Sequence, residues 1–281
     1  MIIVRLKGGL GNQMFQYALG RVLSLRHNTA LGLDTSFYKL DLIPKRRYDL
    51  DLFNITGKVL SKNNIPFLYR ISQKFRLVDK FIPNKGKEKF FHFDPNIFSL
   101  GSSLYLDGYW QSPKYFEGFE DAIREEFTFK NPLPLKINNL ATDIENINSL
   151  CIHVRRGDYV GNANHDVFSM EYYKKGVDYI NQQTKIDKIF VFSDDIEWCK
   201  NNLIFEMPVF FVGNEYAGLK DEGHMYLMSR CKNFIIANSS FSWWAAWLSV
   251  SKNKTVVCPK NWFKDASINT DDLIPKEWIR I

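Results

Sequence analysis

The residues of this chain best suited to chemistry are His153, Arg155 and Arg156, which end an apolar run at Cys151-Ile152 and lead into Gly157-Asp158. Two guanidinium groups delivered at the end of a strand point to an anion, and their planar forks match a phosphate. In open α/β sheets the crevice beyond the carboxyl ends of the strands is where ligands sit. Side chains alternate along a strand, which places His153 and Arg155 on one face and Val154 and Arg156 on the other. Surface arginines in ordinary salt bridges would show the same pattern, so the neighbouring motifs must decide.

Three further motifs fall where a strand meets a helix. Val191-Phe192-Ser193-Asp194-Asp195 ends an apolar strand in two carboxylates, which could bind a guanine edge or ribose hydroxyls, or cap the next helix. Asn238-Ser239-Ser240-Phe241-Ser242-Trp243-Trp244 sets small hydroxyls and free N–H groups at a helix start, which suits a phosphate or ribose, or a plain cap. The tryptophans Trp243, Trp244 and Trp247 recur at helical spacing and read as core packing. Gly8-Gly9-Leu10-Gly11-Asn12-Gln13 follows the first strand and opens a helix, making an anion cradle of Gly9, Gly11 and Asn12. A dinucleotide fingerprint would need glycine where Met14 stands, which disfavours a nicotinamide enzyme although Asp34 sits where a ribose-binding acid would. Arg155, Asp194 and Ser239 all lie at carboxyl ends of strands, and together they predict a nucleotide site.

The elements that must position these residues are legible as an α/β pattern in two series. The first has a strand over 2–6, a helix over 12–26 and a strand over 30–34. The stretch 40–120 is irregular and rich in Phe and Lys, and 131–148, rich in Pro and Asn, reads as a linker. Strands over 150–155, 188–193, 208–213, 233–238 and 254–258 then alternate with helices over 169–182, 195–202, 219–231 and 241–250. Apolar runs such as Ile189-Phe190-Val191-Phe192 are what parallel strands covered on both faces require. Two domains follow, 1–140 and 141–281.

Composition narrows the class. With 281 residues, 45% hydrophobic and 15% aromatic, the chain can bury a real core, roughly three quarters of its unfolded surface. Cys151, Cys199, Cys231 and Cys258 occur singly, with no metal-like spacing, and read as buried reduced thiols. Met1 opens directly into a strand with no signal-peptide pattern, which predicts a cytoplasmic location. The net charge of +6 is concentrated in 58–90, where nine Lys or Arg face only Asp79 and Glu88, a net of +7. Phe67, Ile71, Phe75, Val78 and Ile82 recur there at spacings of three and four. They predict an amphipathic helix that either packs on the core or lies on the inner face of an anionic membrane. No aromatic RNP-like run accompanies the lysines, which argues against nucleic acid as a partner.

The chain resembles the α-1,2-fucosyltransferases of glycosyltransferase family 11. The resemblance lies in Gly8-Gly9-Leu10-Gly11-Asn12-Gln13-Met14-Phe15-Gln16-Tyr17-Ala18, the His153-x-Arg155-Arg156-x-Asp158 pattern, Ser193-Asp194-Asp195 and Ser239-Ser240-Phe241-Ser242-Trp243-Trp244. Tyr105-Leu106-Asp107-Gly108-Tyr109-Trp110-Gln111-Ser112 is similar to the family's middle segment. The resemblance implies two facing Rossmann-like domains of the GT-B type, and inverting, metal-independent transfer of L-fucose from GDP-L-fucose to the 2-hydroxyl of a terminal galactose. It implies that the second domain binds the donor and the first the β-galactoside acceptor, free or lipid-linked as in O-antigen or capsule units. By motif position Arg155 would contact the β-phosphate, His153 and one of Asp194 or Asp195 the guanosine end, and Ser239 to Ser242 the phosphate or ribose. Arg156, Asp158, Ser193 and Asn238 complete the expected donor set, with Gly9 to Asn12 approaching from the first domain. Candidates to take the acceptor proton are Asp34, Asp158 and Glu222, with His224 a further possibility, unless the departing phosphate takes it.

Overall fold

The computed structural model describes residues 1–39, 46–72, 84–157, 159, 161–162 and 169–281. They divide into two compact units, one of Met1–Lys130 with Asn269–Ile274, the other of Asn131–Ile268 with Pro275–Ile281. The expected boundary at 140/141 therefore moves to 130/131. The cause is that most of the expected linker is a helix.

In the first unit β1 (Ile2–Arg5) feeds the glycine loop and α1 (Leu10–Arg26), followed by β2 (Leu31–Asp34), β3 (Lys58–Val59) and α2 (Phe67–Ser72). β4 (Lys85–Lys87), β5 (Leu104–Asp107) and α3 (Glu120–Glu126) complete it. The five strands are all parallel, in the order β3-β2-β1-β5-β4. Three of them arise within the stretch expected to be irregular. β3 is a two-residue, exposed edge and β4 is Lys-Gly-Lys, so neither shows the apolar run of a buried strand. α1 packs on β1 through Gly20, where a Cβ would lie 2.2 Å from Val4. The close helix–strand approach that Met14 would obstruct is thus made two turns further along. Asn269–Ile274 joins this unit late in the chain: Ser112 donates to the Asp272 carbonyl at 2.7 Å, the Phe93 N–H to its carboxylate at 3.2 Å, and Lys114 pairs with it.

Of the amphipathic helix expected over 67–82, α2 is the described part, and 73–83 lies outside the described residues. Tyr69 stacks on Tyr105 with centroids 4.4 Å apart. Phe67 is 66% exposed, so at this position the expected stripe does not pack on the core.

The second unit starts with α4 (Leu135–Glu145), whose buried Ile137, Leu140, Ala141 and Ile144 form one helical face. β6 (Ser149–Val154), α5 (Met170–Gln183), β7 (Lys188–Ser193), α6 (Ile196–Asn202) and β8 (Val209–Phe211) follow. α7 (Glu222–Arg230), β9 (Asn233–Ile235), α8 (Ser240–Leu248), β10 (Val256–Cys258) and β11 (Ile279–Arg280) complete it. Its six strands are parallel in the order β8-β7-β6-β9-β10-β11, the doubly wound order in which the first strand lies at the centre. Leu150, Ile152, Ile189, Val191 and Ile235 form its buried middle. Trp243 and Trp244 are fully buried and Trp278 packs on Trp243, so the tryptophans belong to the core as their spacing predicts. All four cysteines are buried and free.

Candidate active site

In the second unit the chain order reverses between β6 and β9, and a crevice opens at such a switch point beyond the strand ends. The loop after β6 carries the arginines, and its shape is set from β7. The register pairs Val154 with Ser193, which brings Arg156 and Gly157 beside Asp194. The Asp194 carboxylate accepts the N–H groups of Arg156 and Gly157, each at 2.9 Å, and pairs with Arg155 Nη1 at 3.2 Å. Asp195 caps α6 by accepting the Trp198 N–H and pairs with Arg156 Nε at 3.2 Å. The Ser193 hydroxyl accepts the Asp195 N–H. Both carboxylates are thus engaged in holding the arginine loop.

Arg156 lies over the Trp198 ring at 3.8 Å, a cation–π contact that fixes its planar head. Arg155 is 26% exposed and lies 5.6 Å from the Tyr159 ring centroid. Tyr159 in turn donates to the Asn238 carbonyl at 3.2 Å, tying the β6 loop to the one after β9. Trp198 and Tyr159 are absent from the sequence-derived set. Tyr159 directly follows the arginine motif, which is a usable signal, whereas nothing in the sequence marks Trp198.

His153 is buried on β6, its ring 6.1 Å from that of Phe241, and its Nδ1 has no hydrogen-bond partner among the described residues. Burial first, then the charge of Arg155 and proximity to His224, push its pKa down to about 3. It is therefore neutral at ordinary pH, suited to hydrogen bonding and unsuited to donating a proton.

After β9, Asn238 donates to the Trp262 carbonyl at 3.0 Å, and the Ser242 hydroxyl donates back to Ala237 and Ser239 carbonyls. Both side chains are taken up by the fold. Ser239 is the N-cap residue of α8 but its hydroxyl makes no cap hydrogen bond, and with Ser240 it stands at the helix start where backbone N–H groups face an anion well.

The candidate proton acceptors fare unequally. Asp34 is fully buried and accepts the Tyr105 hydroxyl at 2.6 Å and the Ser36 N–H at 2.9 Å. Glu222 accepts the N–H groups of Leu219 and Lys220 in the turn before α7. His224 is buried against Phe192 and bonds the Gly213 carbonyl at 3.0 Å. All three are braces of the fold. Asp158 lies outside the described residues. Gly9, Gly11 and Asn12 belong to the first unit, where Gly9 caps α1 and Gln13 and Gln16, fully buried, bond the backbone of the loop. Among the described residues no group of His, Cys, Asp or Glu could hold a metal ion.

Two parallel α/β units, one presenting clamped arginines at its switch point, define a GT-B-like glycosyltransferase. The chain belongs to glycosyl transferase family 11, whose model matches residues 1–281. It is 36% identical to an alpha-1,2-colitosyltransferase of Escherichia coli, over 100% of this chain and 99% of the relative. The O-antigen biosynthesis glycosyltransferase WbnK of Escherichia coli is 34% identical over 98% and 99%. A galactoside 2-alpha-L-fucosyltransferase of Caenorhabditis elegans is 27% identical over 98% of this chain and 74% of its own length. In fold the chain is similar to the NodZ alpha-1,6-fucosyltransferase, with a TM-score of 0.55 at 18% identity, covering 88% of this chain and 91% of that one.

Proposed function

We propose that the protein transfers L-fucose from GDP-L-fucose to the 2-hydroxyl of a terminal galactose, with inversion and without a metal. The observation that carries the reading is the pair of arginines held at the β6/β9 switch point by Asp194 and Asp195. In the reaction the acceptor oxygen bonds to the anomeric carbon as the bond from that carbon to the β-phosphate oxygen breaks. The electron pair leaves with GDP. Charge grows on the phosphate during this step, and a guanidinium already oriented by carboxylates stabilises it with no reorganisation. Arg155, partly exposed, is the group assigned to that oxygen. Arg156, stacked on Trp198 and paired with Asp195, holds the loop. With Asp34 and Glu222 committed to the fold, the acceptor proton goes to Asp158 or to the departing phosphate.

The 36% identity to an alpha-1,2-colitosyltransferase over both full lengths supports a second reading of the sugar. Colitose is fucose without the 3-hydroxyl. A site that hydrogen-bonds that hydroxyl rejects the deoxy sugar strongly, whereas an apolar site discriminates weakly in either direction. The names of the relatives also support an O-antigen or galactoside acceptor.

The test is to offer GDP-L-fucose and GDP-colitose, in EDTA, with a panel of β-galactosides, and to read the product linkage by NMR. An α-1,2-fucosyl product is expected. Arg155→Ala should lower turnover by about 10² to 10³, as loss of one oriented donor at a developing oxyanion does, and Arg155→Lys should recover part of it. Undiminished turnover in Arg155→Ala would overturn the assignment, and exclusive use of GDP-colitose would replace the sugar.

A further inference from the structure

After β5 the chain makes a strained turn over 108–112. Trp110 has φ of +56°, a conformation that a bulky residue keeps only when its surroundings enforce it. Glu88 supplies part of that enforcement by accepting the N–H groups of Tyr109 at 2.7 Å and Trp110 at 2.8 Å. The buried Trp110 ring stands edge-on to Tyr115, with centroids 5.6 Å apart. Gly108 has no room for a side chain, since a Cβ would lie 2.5 Å from Glu88 and 2.7 Å from the Trp110 ring.

From this turn two consecutive buried side chains reach two distant parts of the chain. Gln111 Nε2 donates to Asn12 Oδ1 at 2.6 Å, across 99 residues of sequence. Ser112 Oγ donates to the Asp272 carbonyl at 2.7 Å, across 160. Asn12 lies across the glycine loop, where a Cβ on Gly8, whose φ is +78°, would meet its amide nitrogen at 2.6 Å. Tyr38 and Gln13 fasten the same loop from nearby sequence, by donating to the Gly8 carbonyl at 3.0 Å and the Arg47 carbonyl at 2.8 Å. Asp272 belongs to a different part of the chain. Its segment, Asn269–Ile274, is flanked on both sides by residues of the second unit, and the chain goes on from it to β11, which completes that unit's sheet. The Asp272 carboxylate accepts the Phe93 N–H at 3.2 Å and pairs with Lys114, and Leu273 and Ile274 are buried.

Holding a loop in one conformation costs entropy, and a bond to a rigid neighbour lowers that cost. The turn is such a neighbour. Because Glu88 and the Trp110 ring fix its backbone, a displacement at Ser112 is passed to Gln111 rather than absorbed between them. The strap at 269–274 and the glycine loop are therefore linked through two adjacent residues.

We infer that Asp272 is a positioning residue: the strap that leaves and re-enters the second unit sets the glycine loop of the first through Ser112, Gln111 and Asn12. Hydrogen exchange of the intact protein tests this without any substrate. Asp272→Ala and Gln111→Leu should each speed exchange of the amides at 10–13 about tenfold, while peptides of α5 and β7 stay within about twofold of the wild type. The double variant should exchange no faster there than Gln111→Leu alone, because both changes break one path. Asp272→Asn, which keeps an oxygen for the Phe93 N–H, should recover part of the protection. Unchanged exchange at 10–13 in Asp272→Ala, or additive effects in the double variant, overturns the inference. So does an equal rise throughout the first unit, the mark of a general loss of stability. Turnover is a second readout, and this part rests on the transfer reading above: kcat of Asp272→Ala should fall at least about fivefold with GDP affinity within about twofold. An unchanged kcat removes the loop from the reaction and overturns that part. A wild-type protein that binds no GDP overturns the donor reading and leaves the exchange result in force.

Discussion

Replacing His153 by Gln should flatten the acid dependence of stability. The imidazole is pushed from its ordinary 6.5 to about 3 by burial and, after that, by Arg155 and His224. An unfolded chain takes up that proton below about pH 6.5 and the folded one does not, so the unfolded state holds more protons and stability falls as pH falls. Below about 6.5 the slope from this one group approaches 1.4 kcal/mol per pH unit, or about 2 kcal/mol between about pH 7.5 and about pH 5. Gln has no proton to gain. The variant should therefore lose about 2 kcal/mol less than the wild type over that interval, whatever its absolute stability. Burial also holds the His224 pKa down, but it is present in both proteins and cancels. Urea unfolding followed by tryptophan fluorescence is the appropriate assay. Trp198, Trp243, Trp244, Trp247, Trp262 and Trp278 all belong to the unit that holds His153, and only Trp110 to the other. Equal losses in the two proteins would refute a neutral, buried His153.

Two further predictions concern the arginine loop and the basic segment. Asp194→Asn keeps one acceptor oxygen but loses the charge that pairs Arg155 and one of the two backbone bonds, so GDP affinity should drop roughly tenfold, in keeping with about 1–2 kcal/mol for a partly exposed charged hydrogen bond; a GDP titration unchanged by the substitution would show that the carboxylate does not shape the site. Met1, Phe67 and Leu68 are exposed and, with Ile3, Tyr69 and Leu104, line a groove of about 520 Å³ in the first unit. Docking on an anionic bilayer predicts cosedimentation with phosphatidylglycerol vesicles but not phosphatidylcholine ones, and its loss at high salt or in a Phe67→Ser, Leu68→Ser double variant. Equal sedimentation with both lipids would discard that role.

The second unit was legible because buried parallel strands are written as apolar runs. Ile189 to Phe192 and Phe234 to Ile236 could hardly be anything else, and β7 begins and ends at the expected residues. β3 and β4 escaped because an exposed pair and a Lys-Gly-Lys triplet form strands only through their neighbours. α4 did carry a signal, Ile137, Leu140, Ala141 and Ile144 at i, i+3, i+4 and i+7, overshadowed by the prolines before it. For the site, the residue types announced an anion, whereas the duties of the two aspartates depended on strand register. That Arg156 falls beside Asp194 follows from pairing Val154 with Ser193, a tertiary fact no local pattern encodes.

Asn269–Ile274 returns to the first unit more than a hundred residues after that unit's main segment ends. Asp272 fastens it there through Phe93, Ser112 and Lys114. During synthesis the amino-terminal half leaves the ribosome first, yet these fastenings form only after residue 272 has emerged. A single cut of the gene after residue 130 therefore leaves Asn269–Ile274 with the wrong half.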